Sequence, residues 1–301
     1  MIKNLTAALV FALVAAACEM PFLELSTTRT PISTTDLDRF SKRRAMAHVR
    51  ELAGKIGVRV RATKREWRAA RYVAGELAAL GYEVGVVKFE VDGKRSRNVV
   101  ARWPGGLQNP FVIGAHMDTV RKSPGANDNA SGVAVMLETA RLVAGSAKAD
   151  LIEFVAFGAE EYGVDGSHHV GSRKFVRRLD RRERRRFPGM VSVDMIADGR
   201  PLITGTAGIG PRVVARTLYR RIDAADIGVV LRTTCDCSDN GPFERAGLPA
   251  AFLWSGDEPN YHSPSDTVAN LEPAHLGRTG RAVRAFVAAL DRSMIRRFRR
   301  S

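Results

Sequence analysis

Apolar and polar positions along the chain follow two different periods, which predicts a mixture of helices and strands. Apolar residues recur at helical spacing over 36–55 and 64–80, and strand-like alternation follows over 83–91 and 98–103. From residue 111 onward, short apolar runs alternate with amphipathic helical stretches. These runs predict strands at 111–115, 151–157, 190–195 and 250–254, and helices at 132–143, 167–179, 212–222 and 273–294.

This alternation of strand and helix predicts an α/β fold, a single domain with a mostly parallel twisted sheet and helices on its two faces. Neither an internal repeat nor a linker divides the sequence after residue 36. In open sheets of this kind, ligands bind where the strands end at their carboxyl edge. Candidate functional residues are therefore sought directly after the predicted strands.

Metal-ligand residue types stand at that position after four of the predicted strands. His116 follows the first, Glu161 the second, Asp194 ends the third, and His262 follows the last by a loop. Asp128 lies between the first of these strands and its helix, where it either caps the helix or bridges two metal ions. Two imidazoles and three carboxylates form a nitrogen and oxygen donor set that suits two zinc ions with open positions for water and substrate.

Two neighbouring residues give this set chemistry beyond metal binding. Asp118, two positions after His116, can accept the second ring N–H of a metal-bound histidine and fix its tautomer. Glu160 adjoins Glu161, and two adjacent acids repel each other unless a cation relieves them. A metal ion would let one of the two act as a ligand and the other as a general base.

The motifs that carry these residues resemble those of the co-catalytic zinc aminopeptidases, a family that also contains glutaminyl cyclases. The matching segments are GAHMDT, NDNASG, FGAEEYG, VDM and YHSPSDT, in this order, and the resemblance covers roughly 64–294. It implies two Zn²⁺ ions. It also implies which residues bind them: His116 and Asp194 would bind one, Glu161 and His262 the other, and Asp128 would bridge the two.

The resemblance further implies a reaction and its catalytic residues. Glu160 would be the base that activates a zinc-bound water, and Tyr261 would stabilise the oxyanion during hydrolysis of N-terminal peptide bonds. The substrate would be a peptide or a small amide. Two alternatives stay open: a glutaminyl cyclase with a single zinc, and an inactive relative that only binds. Where many members read Ser-Asp-His, this chain has Ser238, Asp239 and Asn240, and Cys237 replaces an arginine found in some of them. Substrate preference is therefore not fixed by the resemblance.

The amino-terminal residues have the pattern of a targeting segment. Lys3 precedes an apolar run over 5–17 that ends in small residues before Cys18, and the run is too short for a membrane span. We expect a signal or lipoprotein peptide at 1–18, a tether rich in Pro, Ser and Thr at 19–35, and the zinc peptidase domain at 36–301. Membrane anchoring through a lipidated Cys18, simple secretion and a retained anchor all remain open, and each places the protein in the cell envelope, on the periplasmic side, or outside the cell.

Charge and cysteine content add two further expectations. Much of the net charge of +15 lies in arginine runs at 177–186 and 296–300, but no nucleic-acid-binding motif accompanies them, so we expect no nucleic-acid partner. The runs form either a solvated face or a contact with anionic lipid or wall polymer. Apart from Cys18, only Cys235 and Cys237 are present, and the sequence leaves open whether they form a disulfide.

Overall fold

The computed structural model describes residues 40–300. The predicted signal or lipoprotein peptide at 1–18, with Cys18, and the predicted tether at 19–35 lie outside the described residues. Their boundaries, and the beginning of the domain at 36, therefore stay predictions. Within 40–300, no helix combines the length and the apolar character that a membrane span requires.

Residues 40–300 contain one eight-stranded sheet. Its strands in chain order are β1 (Glu83–Val91), β2 (Lys94–Arg102), β3 (Phe111–His116), β4 (Ile152–Phe157), β5 (Met190–Val193), β6 (Leu202–Thr206), β7 (Val230–Thr233) and β8 (Ala250–Ser255). Their spatial order is β1-β2-β4-β3-β5-β8-β6-β7.

The four central strands, β4, β3, β5 and β8, are mutually parallel. Every residue of β3 and β4 is buried, as expected for strands covered on two faces. Antiparallel pairing occurs on either side of this group: β1 pairs with β2, β2 pairs with β4, and β6 pairs with β8. Because the central strands point the same way, the loops that follow them meet at one edge of the sheet. The predicted α/β architecture with a mostly parallel sheet is confirmed.

Helices cover both faces of the sheet. They are α1 (Lys42–Val49, continued by a π-helical segment, Arg50–Ile56), α2 (Lys64–Ala79), α3 (Gly132–Val143), α4 (Val170–Arg178), α5 (Arg181–Arg186), α6 (Val213–Asp223), α7 (Asn240–Arg245), α8 (Pro273–Ala289) and α9 (Arg292–Phe298). The larger core cluster joins one face of the sheet to α1, α2, α3, α6, α8 and α9. A smaller cluster that includes Val176 and Phe243 packs α4 and α7 on the other face.

Two predicted helices differ from the structure. The helix predicted over 36–55 begins only at Lys42, because Ser41 is extended and caps it. The sequence predicts a single helix over 273–294, but α8 ends at Ala289 and α9 begins at Arg292. Leu290 takes extended backbone angles between them, and the Asp291 carboxylate accepts a hydrogen bond from the backbone N–H of Met294. Asp291 is thus the N-cap of a new helix, which changes the chain direction despite the continuous helical spacing of apolar residues.

Candidate metal centre

The residues predicted to bind metal all lie at the carboxyl edge of the central strands. His116 is the last residue of β3, Glu161 lies four residues after β4, and Asp194 directly follows β5. His262 lies in the loop after β8, and Asp128 lies in the segment Ala126–Ser131 between β3 and α3. Residues from four separate loops and one strand end thus converge at one point on the sheet.

Asp128 lies between the two histidines. Its Oδ1 is 3.1 Å from His116 Nε2, and its Oδ2 is 3.1 Å from His262 Nε2. His116 Nε2 is also 3.2 Å from Asp194 Oδ1, and His262 Nε2 is 3.1 Å from Glu161 Oε2. These contacts define two ligand groups that share Asp128, one with His116 and Asp194 and the other with Glu161 and His262. In each group the donor atoms lie within 4.8 Å of one another, close enough to hold a metal ion.

Burial and mutual repulsion shift the pKa values of the residues in this cluster. Burial, followed by repulsion from Asp128, raises the pKa of Glu161 to about 7. Burial lowers the pKa of His116, but the charges of Asp194 and Glu160 outweigh it and hold that pKa well above its ordinary value. The buried Oε1 of Glu161 accepts no hydrogen bond. A divalent cation would satisfy this oxygen and relieve the repulsion, so the donor set fits a metal ion.

Asp118 contacts the cluster differently from the sequence prediction. The sequence predicts that the Asp118 carboxylate accepts the second N–H of His116, but Oδ1 lies 3.8 Å from His116 Nδ1. The main-chain oxygen of Asp118 is closer, at 3.2 Å, and accepts that N–H, leaving Nε2 free to face the carboxylates. The carboxylate instead accepts hydrogen bonds from the backbone N–H groups of Glu160 and Glu161, at 3.0 and 3.1 Å. Asp118 therefore fixes the loop that carries both glutamates.

Glu160 adjoins both ligand groups, since its carboxylate lies within 4.8 Å of ligand atoms of His116 and Glu161. Its Oε2 is 3.9 Å from His116 Nε2, and its Oε1 is 2.8 Å from Nε2 of His169. Burial and the neighbouring His168 lower the pKa of His169 to about 2, so this imidazole is neutral and donates its Nε2–H to Glu160. Burial also raises the pKa of Glu160 well above its ordinary value. The arrangement leaves one carboxylate oxygen of Glu160 directed at the cluster.

Sequence reasoning did not identify His169 or two other supporting residues. Ser238 donates from Oγ to Asp194 Oδ2 at 2.8 Å, which orients that carboxylate. Asp266 accepts hydrogen bonds from the backbone N–H groups of Asn127 and Asp128, at 2.6 and 3.1 Å. The sequence signal for Asp266 was its place in the YHSPSDT motif, whereas Ser238 and His169 are revealed only by the folded arrangement.

Arg59 is a fourth supporting residue, and it joins the two loops that carry His116 and Asp128. Its side chain is completely buried and donates to five main-chain carbonyls. Nε donates to Met117 at 2.9 Å and Nη2 to Gly125 at 2.9 Å. Nη1 donates to the carbonyls of Leu52, Gly57 and Pro124. One guanidinium thus holds the backbone beside two of the metal-type ligands.

The backbone next to the cluster is conformationally unusual. Four non-glycine residues there have positive φ: Ala159 before Glu160, His169 beside it, Met195 after Asp194, and His262 itself, with φ between 49° and 52°. L-residues seldom take this left-handed conformation, and it is often found at functional sites where the surrounding contacts enforce it. These backbone conformations direct the neighbouring side chains toward the cluster.

Two exposed tyrosines border the cluster. Tyr261 stacks on the His262 ring with centroids 3.7 Å apart and an interplanar angle of 22°. Partial burial beside the carboxylates raises the pKa of Tyr261, so its phenol keeps its proton and can donate a hydrogen bond. Tyr162 stacks on His168 with centroids 4.5 Å apart. Both rings are more than half exposed, at 52% and 67%, so an incoming molecule can reach them.

The segment before Ser238 contains the two cysteines. The structure joins Cys235 and Cys237 in a disulfide, which answers the question that the sequence left open. Asp236 between them forms an ion pair with Arg245 of α7.

Comparison with known proteins identifies the family. The sequence profile of Peptidase family M28 matches residues 98–287, more than half of the chain. The chain belongs to peptidase family M28. Aminopeptidase YwaD of Bacillus subtilis is 31% identical over 77% of this chain and 51% of the relative. Leupeptin-inactivating enzyme 1 of Streptomyces exfoliatus is 30% identical over 70% of this chain and 52% of the relative. The chain therefore spans about half the length of these M28 relatives.

Solved structures of similar fold include an aminopeptidase and a glutaminyl cyclase. BSAP, a zinc aminopeptidase from Bacillus subtilis, superposes with a TM-score of 0.77 at 19% identity, over 84% of this chain and 96% of that chain. A Bacteroides thetaiotaomicron glutaminyl cyclase superposes with a TM-score of 0.74 at 21% identity, over 84% of this chain and 99% of that chain. The M28 fold is common to both, so the fold does not separate the two activities.

Proposed function

We propose that this M28 protein is a zinc-dependent aminopeptidase that hydrolyses the N-terminal peptide bond of peptides or small amides. The observation that carries the proposal is the pair of ligand groups that share Asp128, with Glu160 beside them. His116 and Asp194 would bind one Zn²⁺, Glu161 and His262 would bind the other, and Asp128 would bridge them. The mixed nitrogen and oxygen donors are those that zinc takes in catalytic sites.

When bound, the metal ions supply Lewis-acid chemistry: they polarise the scissile carbonyl and lower the pKa of water. The protein residues carry out the proton transfers. Glu160 takes the proton of the attacking water on its Oε2 and passes it to the leaving amine. His169 holds the other oxygen of Glu160, so the carboxylate keeps one orientation through both transfers. Tyr261 donates its phenol hydrogen to the oxygen on which negative charge develops.

Both ligand groups are complete, which favours this proposal over its alternatives. Each group contains one imidazole and one carboxylate in addition to Asp128, within 4.8 Å. A relative that had lost activity would be expected to lack some of these donors, and a single-zinc cyclase would need only one group. The similarity to aminopeptidase YwaD supports a hydrolytic role.

We propose a location in the cell envelope or outside the cell. The apolar run at 5–17 and Cys18 support it, as does the probable lipoprotein aminopeptidase LpqL of Mycobacterium tuberculosis, 31% identical over 63% of this chain and 44% of the relative. Labelling of the cells with a fatty-acid analogue, with Cys18→Ser as the control, would detect a lipid on Cys18.

The free amino terminus of the substrate provides the test of the proposed activity. An aminopeptidase releases residues one at a time from the end that carries the free α-amino group. We expect the purified protein with added zinc to shorten an unblocked peptide stepwise from its N-terminus, as followed by mass spectrometry. The same peptide acetylated at its N-terminus should stay intact. Internal cleavage of both peptides, or cleavage of neither, would refute the proposal.

A further inference from the structure

The two arginine runs of the sequence form a single surface in the folded protein. Residues 177–186 and 291–300 contain twelve arginines and three acids, so twenty residues carry nine of the fifteen net positive charges. Helix α5 supplies Arg181, Arg182, Arg185 and Arg186, all exposed. Helix α9 and its end supply Arg296, Arg297 and Arg300, also exposed, and the partly buried Arg299. We call these eight residues the basic face.

Packing around Phe111 brings the two helices together. Phe111 begins β3, and its ring lies 5.8 Å from that of Phe298 at the end of α9. Gly189, three residues after α5, lies against the same Phe111 ring, and an added Cβ there would be 3.1 Å from the ring. Arg299 also donates to the carbonyl of Asn109, just before β3, at 2.7 Å. The charge of Arg186 reaches Arg299 and contributes to lowering its pKa, after burial.

The basic face lies at the opposite edge of the sheet from the metal centre. Phe111 and Met190 begin β3 and β5, whereas His116 and Asp194 stand where these strands end. Six residues of β3 separate the two edges by roughly 17 Å. A planar anionic surface in contact with α5 and α9 therefore leaves the metal centre facing away from that surface and open to substrate.

The three nearby acids cap helices and are outnumbered by the arginines, so the face keeps a large positive charge. Asp180 and Glu183 form a reciprocal capping box at the start of α5. Asp291 accepts from the backbone N–H of Met294 at the start of α9. The large exposed hydrophobic side chains of residues 40–300 are Tyr162, Val164, Ile209, Leu231 and Tyr261, all outside these helices. The face thus has no aromatic platform on which bases would stack.

We propose that the basic face binds the anionic surface of a phospholipid membrane. Several guanidinium groups side by side match a plane of phosphate headgroups, whose attraction to basic segments acts over a Debye length. The occupant is a lipid surface rather than a nucleic acid because the face offers charge without stacking side chains or a groove-reading motif. The binding does not depend on the proposed peptidase activity, since it uses none of the residues of the metal centre.

Vesicle binding tests this proposal with a charge-matched control. The full chain is incubated with phosphatidylcholine vesicles that contain either about 30% phosphatidylglycerol or none. Sedimentation of the vesicles gives the affinity for each kind, and the ratio of the two affinities is the preference for the anionic vesicles. Residues 1–39 are present in every variant, so any lipid binding by this segment is the same in the test and control proteins. In the test variant Arg181, Arg182, Arg185 and Arg186 become Gln. In the control variant four exposed cations of α2, Lys64, Arg65, Arg68 and Arg71, become Gln.

We expect preference for the anionic vesicles in the wild type and the control, reduced by salt. Each arginine at the surface contributes roughly fivefold, so removal of four in the α5 variant should reduce the preference by roughly 600-fold. Equal loss in the two variants would show a general effect of net charge and overturn the proposal. So would the absence of a preference in the wild type, or binding of duplex DNA at physiological salt that exceeds binding to the anionic vesicles.

Discussion

Replacement of Glu160 by Gln should leave the metal content unchanged and lower turnover by about 10²- to 10⁴-fold, the usual contribution of a general base. The amide oxygen can still accept the hydrogen bond from His169, which spans 2.8 Å to Oε1 in the wild type. The amide cannot take a proton from water at neutral pH. Shape and contacts are therefore kept while the proton acceptor is lost. Turnover of an aminoacyl-nitroanilide and zinc per chain are measured on the same preparation.

A matched control for this substitution is Glu90→Gln, since Glu90 is an exposed glutamate on β1, far along the chain from the metal-type ligands. It removes the same charge and should retain full turnover. If Glu160→Gln stays within about threefold of the wild type, then Glu160 is not the base in this protein. If the zinc content falls together with the activity, Glu160 is needed for metal binding and its assignment as base loses its support.

Replacement of Arg59 by Met should lower the free energy of unfolding by at least about 3 kcal/mol, since each buried carbonyl left without a partner costs about 1–3 kcal/mol. The carbonyls of Met117, Gly57 and Pro124 lose the donor that Arg59 supplies. Those of Leu52 and Gly125 keep a second donor, the backbone N–H groups of Gly57 and Ala130. Burial lowers the pKa of Arg59 to about 10, with nearby acids led by Asp266 acting against it, so the side chain still carries its charge at neutral pH. Urea denaturation monitored by circular dichroism measures the change.

Arg65→Met serves as the control for the Arg59 prediction. Arg65 is exposed on α2 and no hydrogen bond of its side chain contributes to the loops of the metal centre. Its replacement should change the unfolding free energy by less than about 0.5 kcal/mol, as is usual for surface positions. A loss below about 1 kcal/mol in Arg59→Met would mean that water or a rearranged backbone satisfies these carbonyls. The guanidinium would then not be what holds the two loops.

The central strands could be predicted from the sequence because their residues are apolar on both faces of the sheet. The runs that became β3, β4 and β8 match the predicted strands to within one residue at each end. Once these strands are taken as parallel, His116, Glu161 and Asp194 must converge, since each follows a strand end. The positions of these residues directly after the strands were therefore enough to predict most of the cluster.

Two of the elements that the sequence did not predict, β7 and α5, lack a hydrophobic pattern of their own. Strand β7 is mostly exposed at the sheet edge, so its pairing with β6 depends on the rest of the fold. Helix α5 has no buried residue, and its only local signal is the capping box of Asp180 and Glu183. The contact between His169 and Glu160 depends on the left-handed turn at His169, which no residue pattern indicates. Such features follow from tertiary contacts rather than from local preference.

The zinc content and the reaction of the active protein separate a two-zinc aminopeptidase from a single-zinc cyclase. We expect two Zn²⁺ per chain by elemental analysis and hydrolysis of aminoacyl-nitroanilides. Glu161→Gln should lose one of the two ions, because Glu161 belongs to only one of the two groups that share Asp128. One Zn²⁺ per chain in a protein that cyclises N-terminal glutamine and leaves nitroanilides intact would contradict the proposed function.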